Sequence, residues 1–516
     1  MTREAPAWRR RAVTIALLAC IGTAAAWLLL AATPDGLGLG GDSYYYVSGA
    51  RSLLDGQGFA RPAADGSFRP ITHFPPFYSL VLAAAGGIGW ELPPAARALH
   101  AVLFGINTVL VGWLVWRATR SSWLAGAGAL LFASSPSILG VHSWLLSEAL
   151  FLCLMLVSVN CLVSFLERGR RIALIGAGAA AGLVVVTRYA GLALVLSEAL
   201  VLLSWPKGSR RRSWVDLGLY LALSLAGWLA WAGRNAMLVG SVTNRGLSLH
   251  LPAASKLIEA VTTAAHWLLP GRVPVPVGAA VACALAVWLL VGALERLRSR
   301  RDSDPDGADA VLRILLAFLL VYPLLILFSL SLLDASTPLD DRILSPLYVS
   351  GIIGLLSLSA RRGLTQGVRK WLMAVALGGL LALTLVRGVA RASQLRQDGQ
   401  GYASQAWRTS QVVEWVANLD PGVLAYSNEM DALYLLTGRQ AYQVPIRWDP
   451  VRAAPREDYT EQLATMHARM QRGEAVLVVF STLASQQAFL PPEAELADDF
   501  PAILQAPDGV VYGLWP

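Results

Sequence analysis

The stretch Gly41-Asp42-Ser43-Tyr44-Tyr45-Tyr46 follows an apolar run, residues 15–32, that is led in by Arg9, Arg10 and Arg11. Under the positive-inside rule a basic lead stays in the cytoplasm and the run carries the chain outward. Asp42 then emerges just beyond the outer membrane face. A carboxylate flanked by Tyr44 and Tyr45 at that depth can handle a sugar or a proton beside lipid. The competing reading is that Asp42 caps a helix over residues 43–54, as Asp often does.

Composition supports the membrane setting. Of 516 residues, 55% are hydrophobic and 15% charged, with 18 Trp and 46 Gly; the mean hydropathy is +0.52. Long runs with few charges recur from residue 12 to residue 388, the signature of a polytopic membrane protein. Cys20, Cys153, Cys161 and Cys283 all lie in apolar runs, so neither a disulfide framework nor metal spacing is expected. Residues 15–32 also resemble a signal peptide, but no clean processing site precedes a soluble chain, and a retained first span is expected. The net charge is +8, yet no basic and aromatic tract reads as a nucleic-acid surface.

About eleven spans are expected, at residues 13–32, 98–116, 122–137, 146–166, 172–188, 190–205, 214–233, 275–293, 311–330, 343–359 and 371–388. Basic clusters test the count. Arg117 and Arg120, Arg168 to Arg171, Lys207 to Arg212, Arg296 to Arg301, and Arg361 to Lys370 join the amino-terminal arginines on one face only with this number of crossings. The amino terminus is then cytoplasmic and the carboxy terminus outside. Residues 77–90 are apolar, but inserting them would move every later cluster to the wrong face. They read as a juxtamembrane or re-entrant helix started by Pro75-Pro76. The first outer loop therefore covers residues 33–97.

From residue 389 the chain turns polar and alternates short strands with helical segments: a helix over 403–418, a strand over 422–426, a helix over 457–471 and a strand over 475–480. Two domains are expected: residues 1–388 in the membrane, and 389–516 as a small extracytoplasmic α/β domain. Arg387, Arg391 and Arg396 at the neck run against the charge rule and suit lipid headgroups or a solvated face. Residues 302–310 read as a linker.

Polar features recur where spans end on the outer side: Asp42, His73, His142 with Ser147-Glu148, Thr187-Arg188, and Asp340-Asp341-Arg342. A carboxylate heading a membrane helix, as Glu148 does, is costly unless paired or used. Two carboxylates and two arginines on one surface fit a phosphate-bearing substrate, because guanidinium forks match phosphate and a carboxylate can deprotonate a hydroxyl. The plainer alternative pairs Arg188 and Arg342 with Glu148 and Asp341.

In order and sidedness these motifs resemble the polytopic bacterial glycosyltransferases of the GT-C fold, in the broad class of protein O-mannosyltransferases and lipid A aminoarabinose transferases. The residues that carry the likeness are Gly41-Asp42-Ser43-Tyr44-Tyr45, His73-Phe74-Pro75-Pro76-Phe77-Tyr78, Arg97, Ser147-Glu148, Thr187-Arg188 and Asp341-Arg342-Ile343-Leu344-Ser345-Pro346. In the last motif Ile343 stands where the family has Tyr. The likeness covers residues 10–360 and implies inverting transfer of one sugar from a polyprenyl-phosphate donor to a lipid, glycan or protein acceptor. That reaction would take place outside the bacterial cytoplasmic (inner) membrane.

The roles the resemblance implies are Asp42 as general base and Glu148 as a second acid orienting donor or acceptor. Arg188 and Arg342 would be donor-phosphate ligands, with Tyr44, Tyr45 and Arg97 beside the donor. His73, His142 and Asp341 fall in the acceptor or metal neighbourhood. Relatives are divided over a divalent metal, and no ligand spacing settles it here. Membrane lipids are expected partners, nucleic acid is not, and the chain is expected to act as a monomer. A lipid-linked glycan polymerase or ligase needs the same arginines. A transporter would use inverted repeats, and none is evident.

Overall fold

In the computed structural model, residues 7–205, 210–243, 247–270, 273–298, 307–498 and 500–514 are described. Lys207, Arg300, Arg301 and residues 302–306 of the expected linker lie outside them, as do the side chains of Arg210 to Arg212, Arg296 and Arg298. The membrane part runs as α1 (Ala7–Ala32), α2 (Gly41–Leu54), α3 (Phe77–Gly87), α4 (Leu92–Thr119), α5 (Ser122–Ser134), α6 (Pro136–His142), α7 (Glu148–Arg168), α8 (Arg171–Thr187) and α9 (Leu192–Ser204). It continues through α10 (Arg210–Val239), α11 (Ala254–Leu268), α12 (Val275–Arg298), α13 (Gly307–Leu332), α14 (Asp341–Arg361) and α15 (Gly367–Asp398).

Each expected span coincides with helix, but not every helix is long enough to cross. Among the described residues, 8 helices reach the length and apolarity of a span, or 9 if α5 and α6 form one broken span. The expected span at 122–137 breaks because the residue before a proline is pushed out of the helical region. Ser135 is extended, at φ −66 and ψ 123, and its hydroxyl caps α6, which turns by 62° from α5. α8 and α9, 17 and 13 residues long, fall short of the length test.

Packing follows the small residues. α1 and α4 cross where Gly22 faces Gly105; a Cβ on Gly22 would stand 2.8 Å from the Gly105 carbonyl oxygen. Such close backbone approach is how apolar helices gain contact in the absence of a hydrophobic drive. The common core gathers Phe104, Leu114, Phe132, Leu156, Val184 and Phe318, all nearly solvent-free. α7 sets the polarity of the bundle. Its first residue is Glu148 and its last is Arg168. At the Arg168 end, Arg117 pairs with Glu167 at 2.7 Å and Arg361 with Asp309 at 2.6 Å. The opposite end holds the loops described next.

Between α1 and α4, the chain forms α2, the hairpin β1 (Ala60–Pro62) and β2 (Phe68–Pro70), and α3. α2 starts one residue before Asp42, with Gly40 at the N-cap. The Gly40 N–H donates to Ser43 Oγ at 3.0 Å, and that hydroxyl donates to the Leu145 carbonyl at 3.0 Å. Asp42 therefore lies in the first turn and is not the cap. The apolar segment at 77–90 is α3, packed between α2 and α4 through the buried Tyr78 and Leu82.

Beyond α15, the chain forms α16 (Gln405–Arg408), α17 (Gln411–Ala417), β3 (Leu424–Ser427), α18 (Met430–Thr437), β4 (Tyr442–Gln443), a small ladder of β5 (Trp448–Asp449) and β6 (Ala454–Pro455), α19 (Tyr459–Gln471), β7 (Ala475–Phe480), β8 (Ala502–Ala506) and β9 (Gly509–Tyr512). The five-stranded sheet has the order β4-β3-β7-β9-β8. β3 is parallel to β4 and β7, while β9 is antiparallel to β7 and β8. β7 is the unbroken apolar run Ala-Val-Leu-Val-Val-Phe, buried throughout, as a central strand covered on both faces must be.

Three segments stitch this domain to the bundle. Gly38 N–H donates to the Ser143 carbonyl and Tyr402 N–H to the Leu39 carbonyl, each at 2.8 Å, and Ser143 Oγ donates to Gln400 Oε1 at 2.6 Å. α18 then lies on α2, with Tyr434 edge-on to Tyr44 at 5.0 Å between ring centres.

Candidate active site

Asp42, Glu148, Arg188 and Arg342 come from four separate stretches and meet in one connected group. Arg342 Nη2 donates to Asp42 Oδ2 at 2.6 Å, and its Nε donates to Glu148 Oε1 at 3.1 Å. Arg188 Nη1 reaches the same Glu148 oxygen at 2.8 Å and donates to Ser147 Oγ at 3.2 Å. Each position has a local cause. Glu148 opens α7, where a carboxylate suits the positive helix end. Arg188 follows the end of α8 in an extended conformation, φ −152 and ψ 135, between α8 and the single turn Tyr189–Gly191. Arg342 sits in the first turn of α14 because Asp340 caps that helix, accepting from the Arg342 and Ile343 N–H groups.

The group is graded in depth. Side-chain exposure falls from 36% at Asp42 and 27% at Arg342 to 20% at Arg188 and 3% at Glu148. Glu148 is thus an internal brace between two guanidiniums, with its Oε2 buried and without a hydrogen-bond partner. Asp42 is the carboxylate that an incoming molecule can reach. A buried ion pair is weak as a device for stability, because desolvation offsets the attraction. Two such pairs sharing one carboxylate oxygen hold two arginines at a fixed spacing.

The remaining expected residues divide. Tyr44 donates to the Pro62 carbonyl at 3.1 Å, and Tyr45 stacks edge-on against His73 at 4.6 Å and beside Phe74 at 4.9 Å. Burial pushes the Tyr45 hydroxyl up to about 12. These rings line the approach to Asp42. Three expected residues turn elsewhere. Arg97 closes the end of α1, donating to the Leu30 carbonyl at 2.7 Å and to Thr33 Oγ1 at 3.3 Å. His142 is buried against Phe104; its Nδ1 donates to the Ile138 carbonyl at 2.8 Å, while Asn107 Nδ2 donates to its Nε2 at 3.0 Å. Asp341 accepts from Trp267 Nε1 at 2.8 Å, about 100° round α14 from Arg342.

Three side chains escaped the sequence reading, two of them in this neighbourhood. Tyr46 is buried, with its hydroxyl 2.8 Å from Ser147 Oγ. It stands four residues after Asp42, on the same helix face, and that spacing was the available signal. Asp431, from α18, presses Oδ2 against the first turn of α2: a Cβ on Gly41 would lie 3.1 Å from it. Its Oδ1 is buried without a partner, and burial pushes the carboxyl up to about 7, with Glu429 and Asp42 adding repulsion and Arg61 opposing it. Nothing local marks Asp431. Glu198, inside α9 and away from this site, accepts from Ser158 at 2.8 Å and from Tyr220 at 2.7 Å; a carboxylate in the middle of an apolar run was legible.

Among the described residues, no three His, Cys, Asp or Glu side chains come together as a metal-binding group. Asp42 and Glu148 are both engaged by guanidiniums, whose charge opposes a second cation at the same oxygens.

The fold is similar to that of several solved membrane transferases. It matches ArnT from Cupriavidus metallidurans bound to undecaprenyl phosphate with a TM-score of 0.56 at 14% identity, over 96% of this chain and 97% of that one. It matches the archaeal oligosaccharyltransferase AglB from Archaeoglobus fulgidus, in complex with an inhibitory peptide and a dolichol-phosphate, with a TM-score of 0.56 at 12% identity, over 92% and 70%. The arabinofuranosyltransferase AftD from Mycobacteria gives 0.51 at 16% identity, over 96% of this chain and 41% of that one. No protein-family profile matches the sequence, and no curated protein matches it. At these identities the likeness concerns the fold alone.

Proposed function

We propose that this protein transfers a sugar from a polyprenyl-phosphate donor to a lipid, glycan or protein acceptor on the outer side of the bacterial cytoplasmic membrane, with inversion. The observation that carries this reading is the Asp42–Arg342–Glu148–Arg188 group at one end of the bundle. The polyprenyl-phosphate and dolichol-phosphate ligands of the two similar structures support the choice of donor.

The steps follow from the residues. The donor phosphate enters beside Arg188 and Arg342, whose forks match its oxygens. It competes with Asp42 for Arg342 and so opens the 2.6 Å ion pair. Asp42, released, accepts the proton of the acceptor hydroxyl. The acceptor oxygen bonds to the anomeric carbon as the carbon–oxygen bond to phosphate breaks on the opposite face. The charge that develops on the departing phosphate is met by the two guanidiniums, which Glu148 holds in place and which need no reorganisation as the charge develops. No step passes through a metal. The amino terminus lies in the cytoplasm and the domain after residue 389 lies outside.

The test is reconstitution of the purified protein in liposomes with radiolabelled polyprenyl-phosphate sugars. Saturable donor binding that Arg342→Gln abolishes is expected. Absence of binding by the unaltered protein, or binding indifferent to Arg342→Gln, overturns the reading.

A further inference from the structure

α15 is 32 residues long and carries no charge between Lys370 and Arg387. From Lys370 to Arg387 it rises about 26 Å, close to the thickness of a hydrocarbon core. Arg387 therefore marks the far edge of the bilayer, and Arg391 follows one turn later on the same face. Arg387 spends one nitrogen, Nη2, on the His266 carbonyl at 2.6 Å; the other, Nη1, is buried without a partner. Among the described residues, Arg391 donates only to Gln394, at 2.9 Å. On the outward side of α15, a quarter to half a turn round from the two arginines, Leu385, Val386 and Val389 are 57%, 68% and 57% exposed, so the helix borders lipid at this level.

The wall opposite is Trp267, Tyr348 and Asp341. Trp267 lies edge-on to Tyr348 at 5.2 Å and donates to Asp341, whose charge acts on both Arg387 and Arg391. Asp341 and Arg342 are consecutive, and the first turn of α14 sends one to this rim and the other to the candidate active site.

We propose that Arg387 and Arg391 form a second lipid-phosphate position, which takes the phosphomonoester of the spent polyprenyl carrier as it leaves Arg188 and Arg342. This rests on the sugar-transfer reading above. Two guanidiniums beside one carboxylate leave a single net positive charge, enough to draw a phosphomonoester out of the first site and too little to retain it. The carrier's chain stays in the surrounding lipid while its head crosses one turn of α14. The bare Nη1 supplies the donor that this head takes up.

The experiment is native mass spectrometry of the delipidated full-length protein titrated with undecaprenyl phosphate, with thermal unfolding run in parallel to confirm folding. Two bound equivalents are expected for the unaltered protein and one for the Arg387→Gln/Arg391→Gln double variant. Arg387→Lys, which keeps the charge and loses the fork, should weaken the second equivalent by about tenfold. A single equivalent that the double variant leaves intact overturns the proposal. So does displacement of the second equivalent by phosphatidylglycerol at equal concentration, which makes the rim an ordinary phospholipid seat. If the Arg342→Gln variant keeps both equivalents while the double variant loses one, the transfer reading fails and the rim position stands by itself.

Discussion

Arg342 and Asp42 are separated by 300 positions in the chain and by 2.6 Å in the structure. The expected alternative partner, Asp341, is the residue next door, and it turns away to Trp267. A guanidinium that passes over its neighbour to reach the first loop ties α14 to α2. In the proposed reaction, the strength of that tie sets how readily Asp42 is released.

Asp42→Asn separates chemistry from architecture. Gly40 is the N-cap and Ser43 supplies the reciprocal bond, so the substitution leaves the start of α2 unaltered. Asn retains an oxygen for Arg342 but cannot accept a proton. Folding and donor binding should persist while transfer falls by about 10²–10⁴-fold, the usual contribution of acid–base catalysis. Full turnover would move the base elsewhere.

Arg342→Lys keeps the charge and loses the two-pronged geometry, since one ammonium cannot serve both Asp42 and Glu148 at their present spacing. Donor affinity should drop by about 1.5–3 kcal/mol, the range for a hydrogen bond to a charged group. Equilibrium binding of a labelled polyprenyl-phosphate sugar measures it. Unchanged affinity would assign Arg342 to bracing the fold.

Gly388→Ala should destabilise the protein without touching the site. A Cβ there would collide with the Ser134 carbonyl oxygen, at the point where Ser134 Oγ and Thr384 Oγ1 are 3.0 Å apart. Overpacking of this kind costs about 1–3 kcal/mol. A lower melting temperature is expected for Gly388→Ala and little change for Val389→Ala, whose side chain is 57% exposed.

Asp431 gives the seam between the C-terminal domain and α2 a pH dependence of known sign. Its carboxyl is pushed up to about 7 by burial, against about 3.9 in an unfolded chain. The folded state therefore holds the proton more tightly. Its stabilising share is complete at pH values below the unfolded value and is lost as pH rises through about 7. Thermal stability should fall between pH 5 and pH 8, on the order of a few kcal/mol in free energy, and Asp431→Asn should flatten that fall. An unchanged slope in the variant would place the titration elsewhere.

Sidedness can be read by labelling. In a cysteine-free background, a cysteine replacing the exposed Glu474 should react with an impermeant maleimide added to intact cells. One replacing Gln366, between α14 and α15, should react only after lysis. The opposite pattern would invert the orientation and remove the site from the outer face.

Much of this could be read from the chain because bilayers impose simple rules. Uncharged runs of span length reported the long helices, and β7 announced itself as an unbroken apolar strand. Where the reading and the structure part, a local conformational effect or a distant contact decides. Pro136 bends the expected third span, and no hydropathy window detects a proline-induced turn. Asp42, Glu148, Arg188 and Arg342 were each visible as a polar residue at the end of an apolar run. That Arg342 would choose Asp42 over Asp341 depends on the helical phase of α14, which charge alone does not reveal. His142 and Arg97 drew notice as polar residues near span ends; such a residue must bond to something, and theirs are the carbonyls of Ile138 and Leu30. Asp431 was invisible, since only the docking of α18 on α2 brings it near.

The uninterrupted run of α15 from the bundle to Asp398 has a mechanical corollary. About 48 Å of continuous helix, at 1.5 Å per residue, links the hydrocarbon to the strap where Tyr402 bonds Leu39. A rod has no hinge in which to absorb a change of membrane thickness, so it must tilt or slide. In a thicker bilayer Arg387 would be drawn toward the acyl chains, and the sheet domain would be dragged down on α2 with it. The turnover of this protein should therefore track acyl-chain length in the host vesicle, with an optimum where the rod stands relaxed.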